Sequence, residues 1–447
     1  MAKRLSTTDV LQAAAAGADG AEVYEQEADA IPVVFRAGEL DAVKVTESRG
    51  RAVRVVRRGR LGYATTTDFD DATTVVTNAA QAARLGDAVA MDFPRSASRD
   101  GVPVYDEALA RLTERDLISL GEEVVARVKA FNPRLDLFVN VYRETEEVRI
   151  VNTSGLDARE RRTYGYIVAS AMDAREGDIF TLIDFCFSRR AEDLDAAALA
   201  DRLVARLKLA ARQARVTGGR MPVVFAKLGA MTLFLPLING FNGRQVFLGT
   251  SPLKGRLGER AFDRRFNLVD DGRFPYGTRS GAFDDEGSPA AERSLVEDGV
   301  IRGFLYDLKT ARQAGTASTG NGFRCTASNR GYNLRPDVAP STFRVRPGEQ
   351  PLAAVLGGLE EALLVEQVMG LGTAGNQLTG DFSNTVATGF LVRRGEIVGR
   401  VKNTMVAGNV YELLSHGLVA LGDQAEVVDD VVMSPPLVLD GVTVVSA

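Results

Sequence analysis

Glycine is distributed unevenly along this chain, and this distribution constrains the fold more than any other feature of the sequence. Of the 44 glycines, 12 lie in residues 1–217 and 32 lie in residues 218–447. Glycine supplies the backbone conformations that many tight turns require, so the two halves are expected to differ in architecture. The shift predicts a domain boundary at Thr217-Gly218-Gly219.

Residues 1–217 are predicted to form a mixed domain of strands and helices, either as one unit or as two subdomains of about 1–110 and 111–217. Alternating or β-branched residues indicate strands at 21–27, 31–36, 51–57, 135–142, 147–152, 164–172 and 179–187. Apolar residues at helical spacing predict helices at 8–16, 71–85, 114–131 and 195–214.

Residues 218–447 are predicted to form a strand-rich, mainly antiparallel domain. Turn signals such as Asp271-Gly272 and Arg394-Gly395 separate short apolar runs, and this spacing is typical of β-hairpins. Few helices are expected, at about 229–240, 307–314 and 409–416. The chain as a whole is therefore assigned to the α+β class.

The charge balance argues against nucleic acid as a partner. The chain has 54 Lys and Arg against 59 Asp and Glu, which gives a net charge of −5, whereas a nucleic-acid binder needs a concentrated positive field. The pairs Arg57-Arg58 and Arg161-Arg162 lie beside strand patterns and acidic neighbours. They are predicted to lie on a solvated sheet face.

The apolar runs and the cysteines favour a cytoplasmic protein that does not enter a membrane. The longest strongly apolar run, Leu233 to Ile238, is far shorter than the ~20 residues that cross a bilayer. The first residues of the sequence lack the apolar segment of a secretion signal. Cys186 and Cys325 form no CxxC pair, and such isolated thiols are typical of a reducing compartment.

The metal-ligating residues are too few for an ordinary zinc site. Zinc is normally held by three or four His, Cys and carboxylate ligands, and the sequence has one histidine, His416, and two cysteines. No metal or cofactor is therefore predicted in this chain, although a site made only of distant carboxylates stays open. His416 precedes Gly417 at a predicted helix end, where histidine interacts favourably with the helix dipole.

The acidic runs are best interpreted as turns. Asp270-Asp271-Gly272 and Asp284-Asp285-Glu286-Gly287 could bind a hard cation, but neither has the spaced ligands of an EF-hand. Aspartate beside glycine is equally well explained by its preference for turns.

Two further motifs resemble those of enzymes but lack the expected context. Gly370 to Gly375 matches GxGxxG after a strand-like run, yet residues 376–382 predict another turn and not the helix that a dinucleotide site needs. Ser251-Pro252-Leu253-Lys254 matches SxxK, in which the lysine activates a nucleophilic serine. The companion motifs of that chemistry are absent from the sequence, so a surface loop is predicted and a Ser-Lys hydrolase is kept as an alternative.

Several separated segments of the second half resemble the TldD/PmbA (TldE) family. Their order and spacing over residues 218–447 carry the resemblance, and the first half is compatible with the family layout. The segments are 284–287, 300–304, 319–322, 375–376, 379–383, 406–409 and 439–444.

The resemblance implies which of two kinds of subunit this chain is. TldD-like members are zinc peptidases with HExxxH on a helix and a downstream cysteine, and PmbA/TldE-like members lack these residues. When the chain is aligned on the run beginning at Gly255, Phe234 and Asn239 occupy the two histidine positions. Leu235 occupies the glutamate position, and the cysteine position falls near Leu421. None of these side chains ligates zinc or accepts a proton in the way the motif requires, so a PmbA/TldE-like subunit is expected.

The resemblance further implies a role in proteolysis without catalysis by this chain. The expected partner is a TldD-like HExxxH subunit that carries the zinc, and the expected substrates are unfolded peptides, namely precursors of modified antibacterial peptides and antitoxins. The inert subunit would wall a cleft that admits only an extended peptide, added as a strand to a sheet edge. A stand-alone homodimeric peptide-binding protein is the alternative.

A glycine-rich loop is the predicted lining or structural element of that cleft. We expect Asp381 to stabilise turns through its side chain. The loop residues are Gly375, Asn376, Thr379, Gly380, Asp381, Phe382 and Ser383.

Overall fold

A computed structural model of the chain describes residues 5–89, 91–97, 101–175, 178–326 and 330–446. The elements of the first half follow one another as α1 (Thr7–Ala15), β1 (Gly20–Arg36), β2 (Glu39–Val43), β3 (Thr46–Arg57), β4 (Arg60–Thr66), α2 (Ala72–Ala82), α3 (Glu107–Ala110), α4 (Glu114–Phe131), β5 (Asp136–Asn152), β6 (Asp157–Arg175), β7 (Asp178–Ser188), a 3₁₀ turn (Ala191–Asp193) and α5 (Ala196–Ala210).

The elements of the second half are shorter. They are β8 (Gly219–Phe225), a 3₁₀ turn (Lys227–Ala230), α6 (Met231–Phe241), α7 (Gly243–Leu248), β9 (Leu268–Asp271), β10 (Glu292–Glu297), β11 (Val300–Ile301), α8 (Leu308–Ala314), β12 (Gly322–Phe323), β13 (Asp337–Val338), β14 (Phe343–Val345), α9 (Leu352–Gly357), β15 (Ala362–Val368), β16 (Gly375–Asn376), β17 (Asp381–Arg393), β18 (Glu396–Arg400), β19 (Thr404–Asn409), α10 (Val410–Glu412), a π-helical turn (Leu413–Gly417), β20 (Leu418–Leu421), β21 (Glu426–Asp429), β22 (Val432–Ser434) and β23 (Leu437–Ser446).

The first half is organised around one long antiparallel sheet. Its described strands run in the order β4-β3-β1-β5-β6-β7, with β2 paired to β1. Side chains alternate between the two faces of a strand. On β1, Val23 and Val33 point to the face that α1, α2, α4 and α5 cover, while Glu22 and Tyr24 point to the other face. This second face lies against the second half of the chain.

The second half contains a closed ring of strands beside a second sheet. In the ring, β15, β8, β23, β19 and β17 are neighbours in that order, and β17 pairs back with β15. Only the β15–β8 pair of this ring is parallel, and the ring closes over the largest apolar core of the described residues. The second sheet has the order β11-β10-β9-β14-β22-β21. The structure thus confirms the α+β class and the mainly antiparallel second half.

Most predicted elements of the first half are confirmed, but two strands are longer than predicted. The segments predicted at 21–27 and 31–36 are one strand, β1, and those at 135–142 and 147–152 are one strand, β5. The two strands pair with each other continuously from Glu22 to Phe35, so charged residues in the middle stay within the ladder. Strands of both proposed subdomains share this sheet, and the boundary at residue 217 stays a prediction.

One predicted environment is wrong. Arg161 is exposed, but its neighbour Arg162 is almost completely buried and is paired with carboxylates of both halves. The local pattern could not reveal this, because the decisive carboxylate, Asp285, lies more than a hundred residues away. None of the helices in the described ranges has the length and apolarity that crossing a bilayer requires.

Candidate functional site

The segment aligned with the zinc motif forms helix α6, which is a packed helix as the sequence predicts. Phe234 is fully buried, and its ring meets the ring of Phe343 edge-on at a centroid distance of 6.3 Å. Pro236 lies inside the helix, and its carbonyl oxygen accepts a 2.8 Å hydrogen bond from the Tyr411 hydroxyl. At the position predicted for the first histidine, the helix therefore carries a hydrocarbon ring and no metal-binding atom.

The second histidine position is occupied by a hydrogen-bonded amide. The Nδ2 of Asn239 donates to the Leu235 carbonyl at 3.0 Å and to Gln377 Oε1 at 3.1 Å. Residues four apart lie on one helix face, whereas residues five apart do not. Asn239 and Leu235 therefore share the face that meets the loop of Gln377, while Phe234 points into the core.

These residues do not fit a zinc ion. Phe234 and Leu235 have no donor atom, and Leu421 lies in β20, where it is buried and pairs with Leu437. Within the described ranges, no three His, Cys, Asp or Glu side chains come together in a way that could hold a metal ion. These residues therefore do not support a metal-dependent catalytic step at this position.

The predicted glycine-rich loop is a tight hairpin that packs beside α6. Gly375 pairs with Phe382, and Asn376 pairs with Asp381. The Asn376 side chain accepts the N–H of residue 378 at 3.0 Å. Phe382 is buried with its ring edge-on to Phe225, while Ser383 is exposed on β17.

The predicted turn-stabilising role of Asp381 has a visible geometry. Its carboxylate accepts hydrogen bonds from the Thr379 hydroxyl at 2.6 Å and from Asn409 Nδ2 at 2.9 Å. These two bonds lower the pKa of Asp381. Gly380 has a φ of +86°, and a Cβ there would lie 2.5 Å from the Tyr411 ring. The loop is therefore held in one conformation against α6 and α10.

The structure also reveals a cleft at a position that the sequence did not predict. Its floor is the face of the first sheet that the helices leave open, and its roof consists of loops of the second half. Two cavities, of about 510 and 640 Å³, share Thr278 and Asp430 in their linings and are therefore adjacent parts of this cleft. We call the 510 Å³ part the apolar cavity and the 640 Å³ part the polar cavity.

Aromatic rings cover the floor of this cleft on three adjacent strands. Tyr142 of β5 stacks on Tyr166 of β6 at a centroid distance of 4.9 Å. Tyr166 contacts Phe187 of β7 at 5.9 Å, and Phe187 contacts Phe185 at 4.8 Å. All four are half-buried. Half-exposed rings of this kind offer apolar contact area at low cost in conformational entropy.

The edge strand β7 borders the apolar cavity, and part of its edge is already occupied. The carbonyl of Ile183 accepts from Arg206, and the N–H of Phe185 donates to Asp184 Oδ1 at 2.9 Å. Hydrogen bonds of this kind protect a strand edge from pairing with strands of other chains. Cys186 lines the same cavity, where burial raises the pKa of its thiol to about 11, so at neutral pH it is not a thiolate nucleophile.

Beneath the polar cavity, a set of buried charges joins the two halves. We call it the interdomain ion network. Arg54 binds both carboxylate oxygens of Glu22, at 3.0 and 2.8 Å, and also Glu286. Burial raises the pKa of Asp285, but Arg330 and Arg162 outweigh it and hold that pKa below its usual value. The members of the network are Glu22, Arg54, Glu146, Arg162, Asp285, Glu286, Arg324 and Arg330.

Of the two acidic runs, 284–287 is a turn, whereas Asp270 and Asp271 end strand β9 and the turn begins at Gly272; the carboxylates of both runs are buried. Asp284 accepts the N–H groups of Glu286 at 3.0 Å and Ser288 at 2.8 Å. Asp285 and Glu286 are used by the interdomain ion network. Asp270 accepts from Asn321 Nδ2 at 2.7 Å, and burial raises its pKa to about 6.

The surroundings of the remaining sequence motifs favour structural roles for them. Ser251 is buried and not on the surface as predicted. Its hydroxyl donates a hydrogen bond to the Gly240 carbonyl at 2.7 Å and accepts one from the N–H of residue 253. Lys254 is exposed. His416 is exposed in the last turn before β20. After β15, residues 370–374 form turns and not a helix, so the helix that a dinucleotide fingerprint requires is missing there.

Sequence comparison finds the same family along most of the chain. The C-terminal domain of PmbA/TldA metallopeptidases matches residues 218–446, domain 1 matches residues 21–87, and the central domain matches residues 107–211. Metalloprotease PmbA from Escherichia coli O157:H7 is 25% identical over 447 aligned residues, which cover 94% of this chain and 91% of that protein. An uncharacterized protein of Methanocaldococcus jannaschii is 26% identical over 85% of this chain and 86% of its own length.

Structural comparison finds the same fold in an archaeal protein. The crystal structure of TldE from Thermococcus kodakarensis superposes with a TM-score of 0.89 over 99% of this chain and all of that chain, at 21% sequence identity.

Proposed function

The chain belongs to the PmbA/TldD metallopeptidase family, and we propose that it is a non-catalytic, PmbA/TldE-like subunit of a heteromeric zinc peptidase. One observation carries the proposal: Phe234, Leu235 and Asn239 stand where the zinc motif aligns. Phe234 is packed in the core, and Asn239 is hydrogen-bonded to Gln377. Zinc and its bound water would have to come from a TldD-like partner.

The packing around α6 supports the proposal that this position is inert and not merely altered. A zinc peptidase needs protein nitrogen, oxygen or sulfur atoms converging on the metal and a carboxylate beside the attacking water. Here Leu235 lies next to the loop of Gly372, and that loop is tied to Asn239 through Gln377. A water molecule activated at this position would have neither a ligand set nor a base.

The cleft supports a role in binding the peptide. An extended chain can lay alternate side chains on the aromatic floor while its backbone meets the part of β7 beyond Phe185. Because Arg206 and Asp184 already occupy the earlier part of the edge, only a short segment can add there. A folded protein has no such free segment, so the cleft selects unfolded peptides.

The finer assignments are part of the same proposal. The substrate class is unfolded peptides, including precursors of modified antibacterial peptides and antitoxins, and the location is the cytoplasm. A stand-alone homodimeric peptide-binding protein is the competing function, because the cleft alone would serve it equally well.

The test is hydrolysis of an unstructured peptide by the purified chain, by an HExxxH-bearing relative from the same organism, and by their mixture. We expect activity in the mixture that exceeds the sum of the two separate activities and is lost with a chelator. Zinc analysis should find the metal in the relative and none in this chain. The zinc-motif glutamate of the relative, changed to glutamine, provides the inactive control.

Two outcomes would contradict the proposal. Chelator-resistant hydrolysis by this chain alone would restore the Ser251–Lys254 alternative, and its loss in Lys254→Met would identify that mechanism. A mixture no more active than the relative alone, with peptide still bound by this chain, would favour the stand-alone binding protein.

A further inference from the structure

The outer edge of β7 keeps unused backbone groups beside the apolar cavity. In an antiparallel pair, residues alternate between those that exchange hydrogen bonds with the neighbouring strand and those whose N–H and C=O point away from it. The carbonyls of Thr181 and Ile183 accept from side chains of other elements, so the odd-numbered residues of β7 point away from β6. Among the described residues, neither the N–H and C=O of Phe187 nor the C=O of Phe185 has a hydrogen-bond partner.

These free groups can form three hydrogen bonds with an added strand. Phe187 offers a donor and an acceptor, and Phe185 offers an acceptor, while the N–H of Phe185 is already used by Asp184. Successive side chains of a strand point to opposite faces, and side chains that are opposite each other on neighbouring strands share a face. Two peptide residues separated by one therefore place their side chains beside the rings of Phe185 and Phe187, whichever way the peptide runs.

The face that carries these two rings is apolar. The rings of Phe185 and Phe187 lie 4.8 Å apart, measured between their centroids, and both line the apolar cavity. The other apolar side chains of its lining are Leu228, Phe274, Pro275, Tyr276, Val427 and Met433. The opposite face of β7 is different, because there Asp184 pairs with Arg202 at 3.2 Å and also with Arg206. The peptide residue between the two apolar positions points to that polar side.

The charges of the apolar cavity offer little to a charged side chain. Its lining contains five carboxylates and three basic groups, and all three basic groups are in salt bridges. The salt bridges of the lining residues include Arg190–Asp193, Arg202–Asp184, Lys227–Glu426 and Glu366–Arg206. The fifth carboxylate, Asp430, accepts from the Tyr164 hydroxyl and has no salt bridge among the described residues. The lining would therefore repel an acidic side chain.

We propose that the apolar cavity selects peptides with large apolar side chains at two positions separated by one residue, and that Phe185 and Phe187 determine this specificity. The inference rests on the proposed peptide-binding function and names its substrate class. A peptide with this spacing lays both apolar side chains on the rings. A peptide whose two apolar residues are adjacent can place only one of them on that face.

The test is calorimetric titration of the full chain with peptides of defined pattern. The alternating peptide is acetyl-Gly-Ser-Phe-Ser-Phe-Ser-Gly-amide, and the adjacent peptide of the same composition is acetyl-Gly-Ser-Phe-Phe-Ser-Ser-Gly-amide. We expect the alternating peptide to bind about tenfold more tightly, because burial of a second aromatic side chain contributes at least a factor of this size. A third peptide, with glutamate in place of both phenylalanines, should bind about a hundredfold more weakly than the alternating peptide.

The backbone hydrogen bonds are tested on the peptide, so that the fold of the protein is unchanged. Only alternate N–H groups of an added strand point to β7. N-methylation of the first phenylalanine and N-methylation of the serine after it should therefore differ in effect. One of the two should weaken binding about tenfold, because it leaves a carbonyl of β7 without its donor, and the other should weaken it much less.

A protein variant tests the role of the aromatic rings. Phe187→Ala should reduce the preference for the alternating over the adjacent peptide from about tenfold to less than about threefold. Phe247→Ala is the matched control, since Phe247 is an exposed phenylalanine of α7 that lines neither cavity, and it should leave the preference unchanged. Thermal unfolding of both variants checks that each is folded.

Equal affinity for the alternating and adjacent peptides would overturn the specificity while leaving the peptide cleft intact. A preference that Phe187→Ala leaves unchanged would overturn the role of the rings, and equal effects of the two N-methylations would overturn the pairing with β7. Absence of binding by every peptide would overturn the peptide cleft itself. The hydrolysis experiment with the HExxxH-bearing relative tests the subunit assignment separately from all of these outcomes.

Discussion

Removal of Arg54 should destabilise the whole molecule, because this side chain is one of those that join the two halves. Its guanidinium binds Glu22 through two hydrogen bonds and Glu286 through a third, and all three side chains are at most 4% exposed. Arg54→Met preserves much of the volume but leaves Glu22 with Arg324 as its one remaining salt-bridge partner among the described residues, and it removes the salt bridge of Glu286. Breaking a buried pair in this way costs about 3–5 kcal/mol.

The loss can be measured as a shift in the thermal unfolding midpoint. Unfolding entropy is about 2.1 cal/mol/K per residue, or about 0.9 kcal/mol/K if all 447 residues unfold together. We therefore expect Arg54→Met to lower Tm by about 3–5 °C, followed by circular dichroism. The matched control is Arg302→Met, whose exposed pair with Glu297 is worth at most about 1 kcal/mol, so Tm should fall by no more than about 1 °C.

A double-mutant cycle tests the assigned cause. The double variant Glu22→Gln with Arg54→Met should lose less unfolding free energy than the two single variants lose together, because Glu22→Gln removes one of the buried carboxylates that Arg54→Met leaves without its partner. Burial already raises the pKa of Glu22, so acidification should narrow the gap between Arg54→Met and wild type. An Arg54→Met midpoint within 1 °C of that of Arg302→Met would refute the reasoning, as would strict additivity in the cycle.

Two further predictions follow from single residues. The raised pKa of Asp270, about 6 in the folded chain against a reference of 3.8, adds stability below pH ~4 that is lost as pH rises through 6. Urea unfolding should therefore show Asp270→Asn gaining about 2 kcal/mol relative to wild type between pH 4 and 7, and parallel pH profiles would contradict this. Gly380→Ala should lower Tm by about 2 °C or more, because it adds a clash with Tyr411 to the strain of a positive φ. Gly315→Ala is the control, because Gly315 has a φ of +69° and no atom lies within 4 Å of the added Cβ, so its Tm should fall through backbone strain alone. An equal fall in Tm in both variants would show that the clash with Tyr411 contributes nothing.

Local sequence signals predicted the elements whose causes are local. Helix α4 has the predicted bounds, Glu114–Phe131, because Thr113 and Asp116 form a capping box before an apolar periodicity. Strand β1 was predicted as two pieces because charged residues interrupt its alternation. It is continuous because its backbone pairs with β5 from Glu22 to Phe35, where Asp29 also meets Arg143 of that strand, and no local pattern contains these partners.

The candidate site was predictable only in part, because many of its contacts join residues that are remote in sequence. The resemblance to a known family predicts that Phe234 and Asn239 stand at the histidine positions of a zinc motif, and this alignment stays a prediction. The position of the cleft could not be predicted, since its floor comes from strands of the first half and its roof from segments of the second half that begin at Lys227. Asp285 was correctly placed in a turn, but its burial depends on Arg162, Arg324 and Arg330, which lie 123, 39 and 45 residues away in sequence.

The closed ring of strands in the second half makes synthesis time a factor in folding. Strand β8 ends at Phe225, and its ring neighbour β23 begins at Leu437. At about 5–20 residues per second on the ribosome, β8 waits on the order of 10–40 s before that neighbour exists. During this interval one edge of an apolar strand is open to other nascent chains. Chaperones that cover this edge, and the speed of translation itself, therefore determine how much of the chain reaches its closed form.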